Sequence, residues 1–503
     1  MQTNKSQLVR GLTLIAAISI VVGNVIGTGV FLKARVMMCN VGSPGRVLAI
    51  YVVAGLLSLA GALSYAELAA MIPRAGGEYV FMREAYGRTL GFLFGWMSFF
   101  IGKAGSQAAL GVQFAFFLNI MLAGALGGEF FSMSVSGYSI PFGKLQVIAL
   151  ASIVIVTGIN CLAVKVSGSV AAILSGIKIS LVLLIAFGAF FLANGADWSH
   201  FGMSDAGGTC EAVAASARFG FGGLIAAMLG ALWAYDGWNN VTLVAGEVQN
   251  PQRNLPRALI GGMLLIMALY LFINVAYFYV LSPTEIASVS TQSSVATEVA
   301  QRFLGPLAVS FIAAALLLST FGTLHTSILT GARVPYAMAR DGLFLRSLSR
   351  VSSRTHVPTG ALVVQAVWAC ILVIVFSSSF DTLTDYAIFG LWIFYGLVTA
   401  AVFILRRKMP DAERPYRAWG YPLVPILFIL ATVLILGTTL LSVREDFSRG
   451  VGLIYQGEVL SGLGVLVRNP PLAGSALIAL GLPVYWLWNR LGGGTENLHG
   501  TGD

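Results

Sequence analysis

Apolar windows of about 20 residues recur along the chain, and about 20 apolar residues are what one helix needs to cross a bilayer. They fall near residues 11–32, 47–71, 91–122, 145–164, 168–192, 219–245, 258–281, 305–331, 359–380, 385–405, 421–442 and 471–489. Their lengths predict an all-α membrane protein with about twelve spans and exclude a barrel, whose strands alternate over only about 10 residues. Only 10% of the 503 residues are charged, against about 25% in a soluble domain. Such a chain cannot clothe a water-facing surface of its size. The longest outer connections, about 193–218 and 443–469, read as loops, and no segment has the composition of an attached soluble enzyme. Residues 1–503 are expected to form one polytopic membrane domain.

The net charge of +9 does not imply a nucleic-acid partner. If both termini are cytoplasmic, most of the 30 lysines and arginines lie in inner segments, among them Arg406, Arg407, Lys408, Arg414 and Arg417. This is the positive-inside pattern. The expected location is a plasma (inner) membrane, multi-pass, with both termini cytoplasmic and the lipid bilayer as surroundings. The first apolar segment is too long for a cleavable leader and reads as a retained helix. Cys39, Cys161, Cys210 and Cys370 show no metal or redox spacing; no metal and no cofactor is expected. Cys39 and Cys210 both fall on the predicted outer side, where a disulfide can form.

The first span ends in "VVGNVIGTGVFLK" (21–33), weak helical sequence placed at membrane depth. Glycine is a poor helix former, and a broken helix in hydrocarbon leaves peptide groups without partners. The sixth span repeats the anomaly in "LGALWAYDGWNNVTLVAGE" (229–247), interrupted by Asp236, Gly237, Asn239 and Asn240. A carboxylate near the bilayer centre costs about 2.5–3.5 kcal/mol on insertion scales and needs a partner or water. Breaks at corresponding places five spans apart point to a secondary transporter built from inverted repeats. Repeat 1 would cover about 8–192 and repeat 2 about 218–405, with two peripheral helices at about 421–489. Broken helices expose N–H groups at one half-helix start and C=O groups at another end. Two facing breaks would hold the carboxylate and ammonium shared by all α-amino acids.

The stretches "VGNVIGTGVF" (22–31), "GSPG" (42–45), "GALSYAELAAMIPRAGGEYVF" (61–81), "LWAYDGWNNVTLVAGEVQNPQRNLPRALIGG" (232–262) and "LSTFGTLHTSILTGARVPYAMARDG" (318–342) resemble the amino acid–polyamine–organocation (APC) superfamily. Within it they look most like the L-type amino acid transporters and the bacterial serine/threonine exchangers. The resemblance runs from about Leu8 to Arg490. It implies the LeuT-type fold of twelve transmembrane helices, a 5+5 inverted repeat with discontinuous helices 1 and 6, and sodium-independent amino acid exchange.

By the family's motifs, the amides of Thr28, Gly29 and Val30 would take the substrate carboxylate. Carbonyls of Val25, Ile26, Trp233, Ala234 and Asp236 would take the ammonium, with Trp233 as the gate. Side-chain pocket candidates are Ser106, Leu110, Asn239, Asn240, Gly390 and Trp392. Lys178, within "SGIKISLVLL" (175–184), would reach the first break in place of sodium, beside the hydroxyl of Thr323. A fixed charge there suits obligate exchange, whereas a titrating one would carry protons for symport. Trp233 replaces a phenylalanine, and Asp236 a glycine, of the animal L-type branch. A pocket with Asn240 and Ser106 fits small or medium neutral substrates, while Asp236 keeps cationic ones open. The outer segment 123–143 lacks the cysteine by which the animal proteins bond a glycoprotein, so no disulfide-linked heavy subunit is expected.

Other charges are expected to be structural. Lys103 should snorkel to the cytoplasmic surface, His325 should pack between helices, and Glu67 should pair near Arg74 at the inner gate. The run "NPQRNLPRA" (250–258) reads as a connector. The leading expectation is a transporter exchanging neutral L-amino acids by alternating access. A proton-coupled amino acid symporter on the same fold is the alternative, and a membrane amino acid sensor the alternative of another class. No paired carboxylates, metal cluster or nucleophile triad suggests an enzyme.

Overall fold

The computed structural model describes residues 7–135, 138–204, 207–375 and 380–490. They form a bundle of long apolar helices, as the windows require. Among the described residues, eight helices are long and apolar enough to cross a membrane, or nine if the bent pair Leu14–Val25 and Gly29–Val41 counts as one span. Shorter apolar helices at Lys144–Asn160 and Thr359–Val375, with Gly220–Ala234, occupy three more of the expected windows. The protein is an all-α, multi-pass membrane bundle.

Local signals set the helix ends. Thr13 accepts a hydrogen bond from the amide of Ala16 at 3.2 Å and caps Leu14–Val25. Gly42, at φ 75°, closes Gly29–Val41 in the left-handed conformation. Ser43 and then Pro44 start the next helix, Pro44–Met71. That helix is central, with 61% of its most apolar window buried, whereas Leu423–Leu441 buries 17% and leaves Leu430, Val433 and Leu441 to face lipid. Centre and periphery are thus distinguished by packing.

Two expectations need correction, those for 443–469 and 250–258. The outer segment 123–143 contains an antiparallel hairpin of Glu129–Val135 and Tyr138–Gly143. The segment 443–469 folds into two packed helices, Arg444–Tyr455 and Val459–Arg468, with Gly450 and Gly462 allowing close approach. Residues 250–258 are mostly helix: Asn250 turns left-handed at φ 44°, and Pro251 begins a helix running to Val280. Pro256 lies inside the helix, just past its first turn, where it removes one intrahelical N–H donor. The disulfide between Cys39 and Cys210 is formed, with Cα atoms 5.7 Å apart, and ties the first span's outer half to the 193–218 connection.

Candidate functional site

The first span breaks at residues 26–28, where its two halves bend by 40°. The sixth span breaks at residues 235–237: Gly220–Ala234 is α-helix, Gly237 takes φ 102°, and a 3-10 helix follows over Trp238–Glu247. The breaks lie against each other. A Cβ on Gly29 would sit 3.1 Å from the Cα of Ala234 and 3.1 Å from the Trp233 ring; one on Gly237 would sit 3.1 Å from the Cβ of Asn24. Glycine is needed at both positions for this approach.

Between the breaks lies a cavity of about 120 Å³. Val25, Thr28, Gly29, Trp233, Ala234 and Asp236 line it, as do Ser106 and Leu110 from one neighbouring helix and Thr323 from another. Gly29 opens the second half-helix, whose Phe31 and Leu32 amides bond the Thr28 carbonyl at 3.1 Å, so the amides before them, at Gly29 and Val30, precede the first intrahelical bond. Asn24, Gln113, Thr320 and Leu391 also line the cavity, and the sequence reading had not singled them out. Gln113 donates to the Thr28 hydroxyl at 3.3 Å, and Asn24 donates to the Ile20 carbonyl at 2.8 Å. From the second half-helix of the first span, the Lys33 ammonium lies 4.5 Å over the Trp233 ring centre.

Lys178 is 1% exposed. Its Nζ donates to the carbonyls of Gly23 at 2.7 Å and Ile26 at 2.8 Å, and to the Thr323 hydroxyl at 2.7 Å. A buried ammonium is tolerable only with such partners. Ser319 donates to the same Ile26 carbonyl at 3.1 Å, so that oxygen already has two protein donors. The Tyr270 hydroxyl, unforeseen from sequence, lies 2.9 Å from the carbonyl of Val25 and 2.9 Å from that of Ala234, joining both breaks.

Four expected pocket residues lie outside this lining. Asn239 donates to Glu78 Oε2 at 2.9 Å, and Asn240 accepts from Lys103. Gly390 faces Met97 and Ile478, while Trp392 stacks on Phe428 at 6.2 Å; Leu391, between them, meets the cavity. Val30 and Ile26 are buried beside the lining residues.

The remaining charges also depart from expectation. Lys103 does not snorkel: it ends a π-helical segment, Ser98–Lys103, and is 7% exposed. Glu67 pairs with Arg406 through both oxygens at 2.8 and 2.7 Å, and Arg74 lies near Glu84 instead. His325 packs between helices as expected, with Nε2 3.0 Å from the Ser167 carbonyl and Nδ1 near Asn160. Below the cavity, Glu247 and Arg333 form a fully buried pair at 2.7 and 2.8 Å, and the Leu12 amide donates to the Glu247 carbonyl at 2.9 Å. Tyr79 donates to Asp341 at 2.7 Å, and Arg83 also bonds Asp341. The Leu12 contact ties the Glu247–Arg333 pair to the start of the first helix.

A membrane bundle with two broken helices meeting at an interior cavity has the architecture of a secondary transporter. Residues 12–464 match the family described as amino acid permease. The chain is 32% identical over 469 residues to the serine/threonine exchanger SteT of Bacillus subtilis, covering 92% of this chain and 98% of that one. It is 31% identical over 434 residues to the mouse (Mus musculus) b(0,+)-type amino acid transporter 1, covering 85% and 82%. It is 30% identical over 454 residues to the human cystine/glutamate transporter, covering 90% and 84%. The chain belongs to the amino acid permease family of the APC superfamily, and its relatives are transporters rather than enzymes.

Proposed function

We propose that this protein exchanges neutral L-amino acids across a plasma membrane by alternating access, independently of sodium. The observation that carries the reading is the meeting of both breaks at one cavity, stitched by Tyr270 and braced by Lys178. The amides of Thr28, Gly29 and Val30 receive the substrate carboxylate, favoured by the helix N-terminus. The ammonium meets the carbonyl side of the sixth span's break, at Trp233, Ala234 and Asp236, beside the carbonyls of Val25 and Ile26, which already accept from Tyr270 and the Gly27 amide and from Lys178 and Ser319. Trp233 closes the outer side. Ser106 and Leu110 face the side chain, and the cavity volume suits a small or medium one. Lys178 and Thr323 occupy the place where a coupling cation would otherwise bridge the helices, which supports sodium independence.

The fold in this reading is LeuT-type, with twelve spans, repeats at about 8–192 and 218–405, and both termini cytoplasmic. No disulfide-linked heavy subunit is required. The test is reconstitution of the purified chain into vesicles. Labelled amino acid should enter only vesicles preloaded with unlabelled amino acid, with or without sodium. Uptake into empty vesicles driven by a pH gradient would overturn exchange in favour of proton symport, and binding without counter-movement would indicate a sensor.

A further inference from the structure

We propose that Lys103 sets the charge class of the transported amino acid, its buried ammonium balancing the carboxylates beside the cavity so that only substrates with uncharged side chains leave the site neutral. The inference rests on the preceding reading that the cavity receives an amino acid zwitterion.

Lys103 sits directly after Gly102, which lines the cavity. The π-helical turn that ends at Lys103 shifts the helix register there, and such turns re-aim side chains at functional sites. The ammonium points inward and donates to Asn240 Oδ1. The neighbouring Asn239 amide donates to Glu78 Oε2 at 2.9 Å, and Tyr65 donates to Glu78 Oε1 at 2.9 Å. Both oxygens of Glu78 therefore accept, the pattern of an ionised carboxylate. Tyr395 donates to Asp236 Oδ1 at 2.9 Å and lies 3.4 Å from Asn239 Oδ1. Asn239 and Tyr395 thus link Glu78 to the cavity-lining Asp236, Lys103 bonds the adjacent Asn240, and both carboxylates lie within electrostatic reach of Lys103.

The interior charges beside the breaks then sum to zero, Lys33 over the Trp233 ring being partly exposed and so screened by solvent. Lys103 and Lys178 contribute two positive charges; Glu78 and Asp236 contribute two negative ones. Glu247–Arg333 and Glu67–Arg406 are separately paired. A zwitterion with an uncharged side chain adds nothing to that sum. A lysine substrate would add an uncompensated positive charge in a water-poor site, and a glutamate a negative one, each strongly disfavoured. Removing Lys103 leaves an excess negative charge that a cationic side chain restores to balance.

The test compares kcat/KM for alanine, lysine and glutamate in vesicles containing the wild type, Lys103→Met, Glu78→Gln and the double variant. Wild type should prefer alanine. Lys103→Met should raise the lysine-to-alanine ratio by about tenfold or more, as a unit charge roughly 10 Å away predicts at an effective dielectric constant of about 20. Adding Glu78→Gln should return the ratio towards the wild-type value. Glu78→Gln alone should raise the glutamate-to-alanine ratio, which keeps the inference testable if Lys103→Met does not fold. Unmoved ratios in variants that still exchange alanine would overturn it. So would a wild type that prefers lysine, or loss of glutamate transport in Lys103→Met with no gain for lysine. A wild type that exchanges no amino acid would instead defeat the underlying reading.

Discussion

The two helix breaks are held by different chemistry. At the first, residues 26–28, the protein's own donors meet main-chain oxygens: Lys178 at Gly23 and Ile26, Ser319 at Ile26, and Tyr270 at Val25. Among the described residues, no carboxylate takes part. At the second, residues 235–237, side chains dominate, with Asp236 held by Tyr395 and the adjoining Asn239 and Asn240 leading to Glu78 and Lys103. Main-chain groups are the same in every amino acid, whereas side-chain charges can be exchanged one at a time. The first break should therefore govern whether a substrate is bound and moved, and the second which substrate it is.

Gly29→Val attacks the first break most directly. Its Cβ alone would meet Ala234 and Trp233 at 3.1 Å, and the two methyl groups beyond it have no space. Substrate binding in detergent should fall below detection while the protein still inserts and purifies; near-normal binding would show that the breaks need not touch. Lys178→Ala should come next. It deletes three charge-assisted hydrogen bonds, each worth about 1.5–3 kcal/mol, and turnover should fall about a hundredfold or more. Affinity should fall less, because the outer amides are untouched. Equal losses in kcat and in Kd would assign Lys178 to binding and blur the contrast between the breaks.

What the sequence made legible was whatever is costly at membrane depth. Glycines, Asp236 and Lys178 announce themselves because hydrocarbon penalises them, so the position of each break could be read directly. Tertiary partners carry no such mark. Tyr270 is an ordinary membrane tyrosine until folding brings it to Val25, 245 residues away. Lys103 was misjudged because depth alone suggested a route to the surface, and the π-helical turn that redirects it has no local signature in "SFFIGK". Gly390 and Trp392 come from the family resemblance, and they flank Leu391, which lines the cavity in this chain: motif similarity places a stretch near the site without fixing which of its residues faces in. The disulfide needed only two cysteines on one side, and that much composition supplied.

Tyr270→Phe should have the smallest effect and separates the breaks most cleanly. A phenol has one proton, yet its oxygen lies 2.9 Å from a carbonyl in each break. The hydroxyl can satisfy only one of them at a time, so it couples the breaks without binding both firmly. Removing it leaves one buried carbonyl short of a donor, about 1–3 kcal/mol, and the apparent affinity should weaken about tenfold with the substrate profile unchanged. Lys103→Met changes the profile from the second break. If the two breaks act separately, the double variant should show both effects in full, as independent sites do. A double variant whose lysine-to-alanine ratio differs from that of Lys103→Met alone would show that the first break also selects, and the division of labour between them would fail.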